Sequence, residues 1–177
     1  MDDIQIVPYD PAWPGLFEAE AQRLRAALDP GQVLGIEHFG STAVPRLAAK
    51  PIIDILIAVR SLERAKATMI EPILALGYVY WAENPKRDRM FFVKGMPPYG
   101  ERRTHHIHIT EFDGEMWCRR LPFRDHLRAN PDEARRYEAL KYDLARRYPA
   151  DRDGYSEAKT DYVEGVYRKM GLTPFGE

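Results

Sequence analysis

The chain has 177 residues, 45% hydrophobic and 30% charged, and its 26 Lys and Arg against 27 Asp and Glu leave a formal net charge of −1. That length predicts one domain, able to bury a core without staples, and the composition excludes global disorder. The near-zero charge excludes a protein that coats nucleic acid or a membrane surface by bulk electrostatics. A single cysteine, Cys118, leaves no internal disulfide and no cysteine-based zinc cluster. The start Met1-Asp2-Asp3-Ile4 is acidic and lacks an apolar signal core, and the longest apolar stretch, 52–59, is too short to span a bilayer. The expected location is cytoplasmic, away from membranes, and the oligomeric state stays open.

In chain order, Pro11 and Pro14 precede a helical pattern over 16–28, closed by Asp29-Pro30-Gly31. Val33 to Phe39 reads as a strand that leads into Gly40-Ser41, and 52–59 as a buried strand rich in β-branched residues. Ser61 is placed to cap a helix that runs to about Leu76 with Gly77 as its stop, and Pro72 is placed to kink or split it. Residues 78–81, 90–94 and 104–110 read as three further strands. After Gly114 the apolar period becomes helical. Asn130-Pro131-Asp132-Glu133 has the form of a helix start with an Asn cap, Pro in the first position and a capping-box Glu. A last helix is expected over 155–170, ending at Gly171. The outline is α+β, a mixed sheet with flanking helices over about 1–113 and a helical third over about 114–171.

The charge is uneven along the chain. Residues 1–38 hold seven acids and two bases, 86–103 six bases and two acids, and 119–152 ten bases and six acids. Two basic zones in a neutral chain suit a small anionic ligand; solvated helix faces are the alternative.

Asp54 is the most informative residue. Strand alternation puts Ile52, Asp54, Leu56 and Ala58 on one face, and Ile53, Ile55, Ile57 and Val59 on the other. A carboxylate inside such a strand needs a partner, whether backbone amides, Lys50 or a metal. Before it, His38-Phe39-Gly40-Ser41-Thr42 is a strand turning into a small-residue loop whose hydroxyls and amides could hold phosphate oxygens. On a later strand His106 and His108 share one face. With Asp54 they would give a ligand set suited to Zn²⁺, Mn²⁺ or Fe²⁺ rather than Mg²⁺; otherwise one histidine is a hydrogen-bond partner of Asp54 and the other a packed core residue.

The block Gly40-Ser41-Thr42-Ala43-Val44-Pro45, followed by Leu47 to Ile55 with Lys50-Pro51 and Asp54, closely resembles the signature of the GrpB (UPF0157) family. His106-Ile107-His108, Phe123-Arg124-Asp125, Leu140-Lys141 and 155–159 extend the likeness over most of the chain. Arg46 departs from it, since the resemblance leads to glycine after Pro45. The family's fold resembles the nucleotidyltransferase superfamily that includes DNA polymerase β. That resemblance implies a Gly-Ser loop for a triphosphate and an acidic pair two residues apart on one strand, with a third acid on a neighbouring strand and two Mg²⁺ ions. Gly40, Ser41 and Asp54 match by position; the second acid is replaced by Leu56.

The expected partner is therefore a nucleotide or another phosphate-bearing small molecule, and the expected cofactor a divalent metal (Mg, Mn or Zn). Asp54 and His108 are the candidate catalytic residues, with Asp54, His106 and His108 as metal ligands. Gly40, Ser41, Thr42, Lys50, Arg89, Arg103, Lys141 and Lys159 are the candidate ligand contacts. Nucleotidyl transfer from an NTP to a small acceptor is the leading reading. A catalytically silent sensing or interaction module, or a hydrolase using Asp54, His106 and His108, are the alternatives.

Overall fold

The computed structural model describes residues 4–172. Helix α1 (Trp13–Ala27) leads into β1 (Val33–Phe39), a 3-10 turn at Ser41–Ala43, and β2 (Ile53–Val59). Then come α2 (Leu62–Thr68), α3 (Ile70–Ala75), β3 (Tyr78–Tyr80), β4 (Arg89–Lys94) and β5 (His105–Glu111). Four helices follow among the described residues: α4 (Glu115–Ala129), α5 (Pro131–Arg147), α6 (Arg152–Ala158) and α7 (Thr160–Lys169). The sheet order is β1-β2-β5-β4-β3. Only β2 and β5 run parallel; the other neighbours are antiparallel. The fold is α+β with a mixed sheet.

Alternation along β2 decides which face becomes the main core. Ile53, Ile55, Ile57 and Val59 are at most 2% exposed and pack with Leu24 of α1, Ala65 of α2 and Ile73 of α3. Each such side chain contributes roughly 1.5–3 kcal/mol of burial. The opposite face carries Asp54 and Leu56. Leu56 is sealed against Phe39 and Met116, so its end of that face is closed by α4. The C-terminal helices build a second core around Phe123, Tyr137 and Tyr167, into which Val44 and Leu47 of the 40s loop insert. Arg119 ties α4 to α7, reaching Glu164 at 2.6 Å and lying 4.0 Å from the Tyr167 ring centre. Among the described residues, no helix is long and apolar enough to cross a membrane.

Two local expectations change, and the split that Pro72 is placed to make is found. The 62–76 helix is split at Met69. Pro72 has no N–H for the Thr68 carbonyl, and its ring crowds that carbonyl, so the break falls one turn before the proline. Asn130 does begin α5, but no capping box forms. The Asn130 amide turns back to donate to the His126 carbonyl at 2.8 Å, and the Glu133 carboxylate instead accepts from Tyr162 and from Lys169, fastening α5 to α7. The expected 155–170 helix is two helices joined at Lys159; the first starts at Arg152, with Asp151 capping the Gly154 amide at 2.8 Å.

Arg46 is the other local surprise. Its φ is 66°, in the left-handed region, and among the described residues no other non-glycine residue has positive φ. The position where the family resemblance leads to glycine is the one whose backbone wants it. Left-handed backbone costs an L-residue about 1–2 kcal/mol, partly offset by the extra chain entropy that glycine loses on folding. Arg46→Gly is therefore expected to stabilise the chain by about 0.5–1 kcal/mol, read as a higher urea midpoint at unchanged m-value. An unchanged or lower midpoint would contradict it.

Candidate functional site

The site is built where the 40s loop, β2 and β5 meet. Gly40 has φ 72° and ψ −173°, a conformation essentially reserved for glycine. It lets the loop pass so close to β2 that a Cβ on it would stand 2.4 Å from Asp54 Oδ2. The parallel register then sets Asp54 beside His106 and Leu56 beside His108. Because the two histidines are two residues apart, both rings rise on the Asp54 face.

His106 Nδ1 donates to Asp54 Oδ1 at 3.1 Å. His106 Nε2 and His108 Nδ1 are buried with no protein hydrogen-bond partner. Ligand atoms from Asp54, His106 and His108 all lie within 4.8 Å of one another, as a metal-binding group requires. Aromatic rings fix the imidazoles: His108 lies 4.6 Å from Phe91 and 5.4 Å from Phe39, and His106 lies 5.1 Å from Phe91.

Charge follows from this packing. Burial pushes the Asp54 carboxyl up, but the hydrogen bond from His106 and the electrostatic pull of the neighbouring imidazoles and Lys50 outweigh it, so the group sits below its ordinary value and is ionised at neutral pH. Burial, aided by His106, Arg89 and Arg120, holds His108 down at about 3 against the pull of Asp54, leaving a neutral imidazole with a lone pair to offer. His38 behaves similarly, pushed down to about 4 by burial. It stacks on Phe17 at 4.8 Å. Its Nε2 meets Thr42 Oγ1 at 3.0 Å, and since that hydroxyl donates to the Ile52 carbonyl, Nε2 carries the proton.

A cavity of about 350 Å³ opens over these groups, and its wall is cationic. Lys50, Arg89, Arg103, Arg120, Lys141, Arg152 and Lys159 line it, against Asp54 and Asp153 as the acids. Lys50 and Lys159 share one aromatic support, with their ammonium groups 4.9 and 4.3 Å from the Tyr155 ring centre. Burial and the neighbouring cations lower both lysines; Lys159 falls to about 7. Lys141 also falls to about 7 on burial, and its ammonium donates to the Ala48 carbonyl.

All the sequence-selected residues thus line one cavity, but not all are equally available. Gly40, Ser41, Lys50, Asp54, Arg103, His106, His108 and Lys159 face it together. Thr42 is 2% exposed and its hydroxyl is committed to the Ile52 carbonyl and His38. Arg89 forks Asp88 through two bonds of 2.9 and 2.7 Å. Arg124 does not reach the cavity; it clamps Glu37 and the His38 carbonyl. Tyr137 and Tyr155 are buried packing residues with surfaces that also face the cavity. Sequence reasoning missed Arg120 and Arg152. Arg120 is one of two adjacent arginines, and only the turn of α4 tells it from Arg119, which faces Glu164.

Residues 3–169 match the family described as GrpB protein. The chain belongs to the GrpB family. This GrpB chain is 52% identical over 166 residues to a UPF0157 protein of Pseudomonas aeruginosa, covering 93% of this chain and 66% of that protein. It is 39% identical over 161 residues to the UPF0157 protein YqkA of Bacillus subtilis, covering 91% of this chain and 45% of that one. It therefore spans just under two thirds of the first relative and under half of the second. The crystal structure of the conserved protein GrpB from Enterococcus faecalis is similar at a TM-score of 0.81 and 38% identity, covering 93% of this chain and 96% of that chain.

Proposed function

We propose that the cavity holds a divalent transition metal through Asp54, His106 and His108, and beside it a phosphate-bearing small molecule, on whose phosphorus an acceptor hydroxyl is set to attack. Nucleotidyl transfer from an NTP to a small acceptor is the form of this chemistry the reading favours: the acceptor oxygen bonds to the α-phosphorus, the bond to pyrophosphate breaks and pyrophosphate leaves, and the hydroxyl proton passes to solvent. The observation that carries it is a pair of buried imidazole nitrogens without protein partners beside an ionised carboxylate, in a cavity walled by lysine and arginine. A buried polar atom left unpaired is costly, and a metal ion would satisfy both nitrogens at once.

Two imidazoles and one carboxylate are a donor set for Mn²⁺, Zn²⁺ or Fe²⁺ rather than for Mg²⁺. Bound there, such an ion would supply Lewis acidity to a phosphate oxygen. The protein does the rest. Gly40 keeps the loop backbone close to Asp54, and the Ser41 hydroxyl lies on the same wall. Lys50, Arg120 and Lys159 neutralise the ligand's charge without forming a second metal site, because position 56 is a leucine sealed in the core. That same leucine favours one other reading, a catalytically silent module that keeps the ligand pocket alone.

Metal binding separates these readings. Protein stripped with chelator and titrated with Mn²⁺ or Zn²⁺ by calorimetry is expected to take up one ion. Asp54→Asn is expected to weaken uptake by more than the about 10–100-fold typical of losing an outer-sphere partner. No uptake by the native chain, or undiminished uptake by the variant, would sink the metal-based reading.

A further inference from the structure

The face of the sheet that carries the histidines does not stop at β5. Val93 pairs with His106 and Phe91 with His108. Val79 on β3 pairs with Val93, and the Trp81 amide donates to the Phe91 carbonyl at 2.9 Å. One continuous shelf therefore runs from Asp54 across the two imidazoles to Phe91 and on to Trp81. Neighbouring strands lie about 4.8 Å apart, so Trp81 stands about 10 Å from the histidine strand.

The far end of this shelf is apolar and open. A cleft of about 670 Å³, lined by Val79, Trp81, Phe91 and Val93, shares Trp81, Phe91, Arg103, Arg152 and Asp153 with the cationic cavity. Val79 and Trp81 are 38% and 47% exposed, large apolar groups facing solvent beside a charged pocket. Trp81 and Phe91 meet at 66° with ring centres 5.8 Å apart, which makes a corner rather than a tube. Volume and apolar lining with a few convergent polar groups are those of a ligand pocket.

We infer that the ligand is bipartite, an aromatic phosphate of the nucleotide class, with its phosphate at the Asp54, His106 and His108 end and its flat base in the corner of Trp81 and Phe91. This deepens the proposed function and rests on it. A flat ring fits because Trp81 offers a half-exposed face and because Arg103 and Arg152 bring planar guanidinium groups, which stack on aromatic faces, to the junction of the two lobes. Asp153 lines both lobes and accepts hydrogen bonds only, which suits a sugar hydroxyl between phosphate and base.

The test uses the full chain loaded with Mn²⁺ and four probes: pyrophosphate, ribose 5-phosphate, ATP and octyl phosphate, followed by calorimetry and tryptophan fluorescence. ATP is expected to bind at least about tenfold more tightly than pyrophosphate and to quench fluorescence, with octyl phosphate no better than ribose 5-phosphate. Base stacking predicts that Trp81→Ala weakens ATP about 10–100-fold and leaves pyrophosphate unchanged, while Trp81→Phe restores most of the loss. Pyrophosphate binding with no gain for ATP leaves the anion site standing and overturns this inference alone. So does equal weakening of both probes by Trp81→Ala, or octyl phosphate matching ATP. Failure of pyrophosphate and ATP alike to bind overturns the proposed function and this inference with it.

Discussion

Gly40→Ala is expected to weaken metal uptake at the proposed Asp54, His106 and His108 site and lower the melting temperature by about 5–10 °C. Two costs add. The backbone at φ 72° and ψ −173° is one that side-chain-bearing residues avoid, worth roughly 1–3 kcal/mol. The new methyl carbon would stand 2.4 Å from Asp54 Oδ2 and 3.1 Å from its Cβ and Cγ, so no small rotation of the carboxylate clears it. Either Asp54 swings off His106, which takes the carboxylate away from the imidazoles, or the 40s loop lifts away, which removes that wall of the site. About 2–3 kcal/mol in all corresponds to the stated fall at about 2–4 °C per kcal/mol. Differential scanning calorimetry reads the first effect and Mn²⁺ titration of the folded variant the second. Ser41→Ala serves as the control, since it keeps the backbone conformation and should retain the metal. A Gly40→Ala protein that melts early yet binds Mn²⁺ normally would mean that the glycine serves the loop and not the site.

Much of this geometry is legible in the sequence because strand alternation is a strict rule. Once 52–59 is a strand, Asp54 and Leu56 must share a face opposite Ile53, Ile55 and Ile57, and once 104–110 is one, His106 and His108 must share theirs. What alternation cannot supply is register. That His106 rather than His108 stands beside Asp54 depends on parallel pairing across an intervening α2, α3, β3 and β4, and nothing local encodes it. The same holds for cations. Lys50 and Lys159 are 109 positions apart yet lie over one tyrosine, whereas Arg89 at the start of β4 turns to Asp88 next to it. Short-range signals misled where a long-range partner outbid them. Glu133 has capping-box spacing, but Tyr162 and Lys169 claim its carboxylate. The break at Lys159 carries no glycine or proline, so periodicity runs through it. Arg46 was legible in the opposite sense, because the residue that broke the expected pattern is the one with a left-handed backbone.

Stability is expected to rise as pH increases from 7 towards 10, the reverse of what partner-forming lysines produce. Lys141 is 2% exposed, and burial holds its amine at about 7, far below the 10.5 of a free lysine. Between those values the unfolded chain binds a proton that the folded chain does not, so unfolding becomes less favourable as pH climbs through the window. Below pH 7 both states are protonated and the full cost of burying the cation is present; near pH 10.5 it is gone. Lys159, also lowered to about 7, adds in the same direction. Displacements of this size correspond to a few kcal/mol, hence a rise in melting temperature of about 5–10 °C between pH 7 and pH 9.5. Lys141→Met is expected to be more stable at pH 7 and to show a shallower slope, and adding Lys159→Met should make it shallower again, with Lys50 left to contribute the remainder; parallel slopes in all three proteins would refute the assignment. The same lysines connect stability to binding. A phosphate-bearing ligand favours their charged forms, so its binding at pH 8 should draw protons from solution. Titration with pyrophosphate in two buffers of different ionisation enthalpy measures that uptake. Its loss in Lys159→Met, with Lys141 intact, would place the proton on the residue that joins α6 to α7 and faces the cavity.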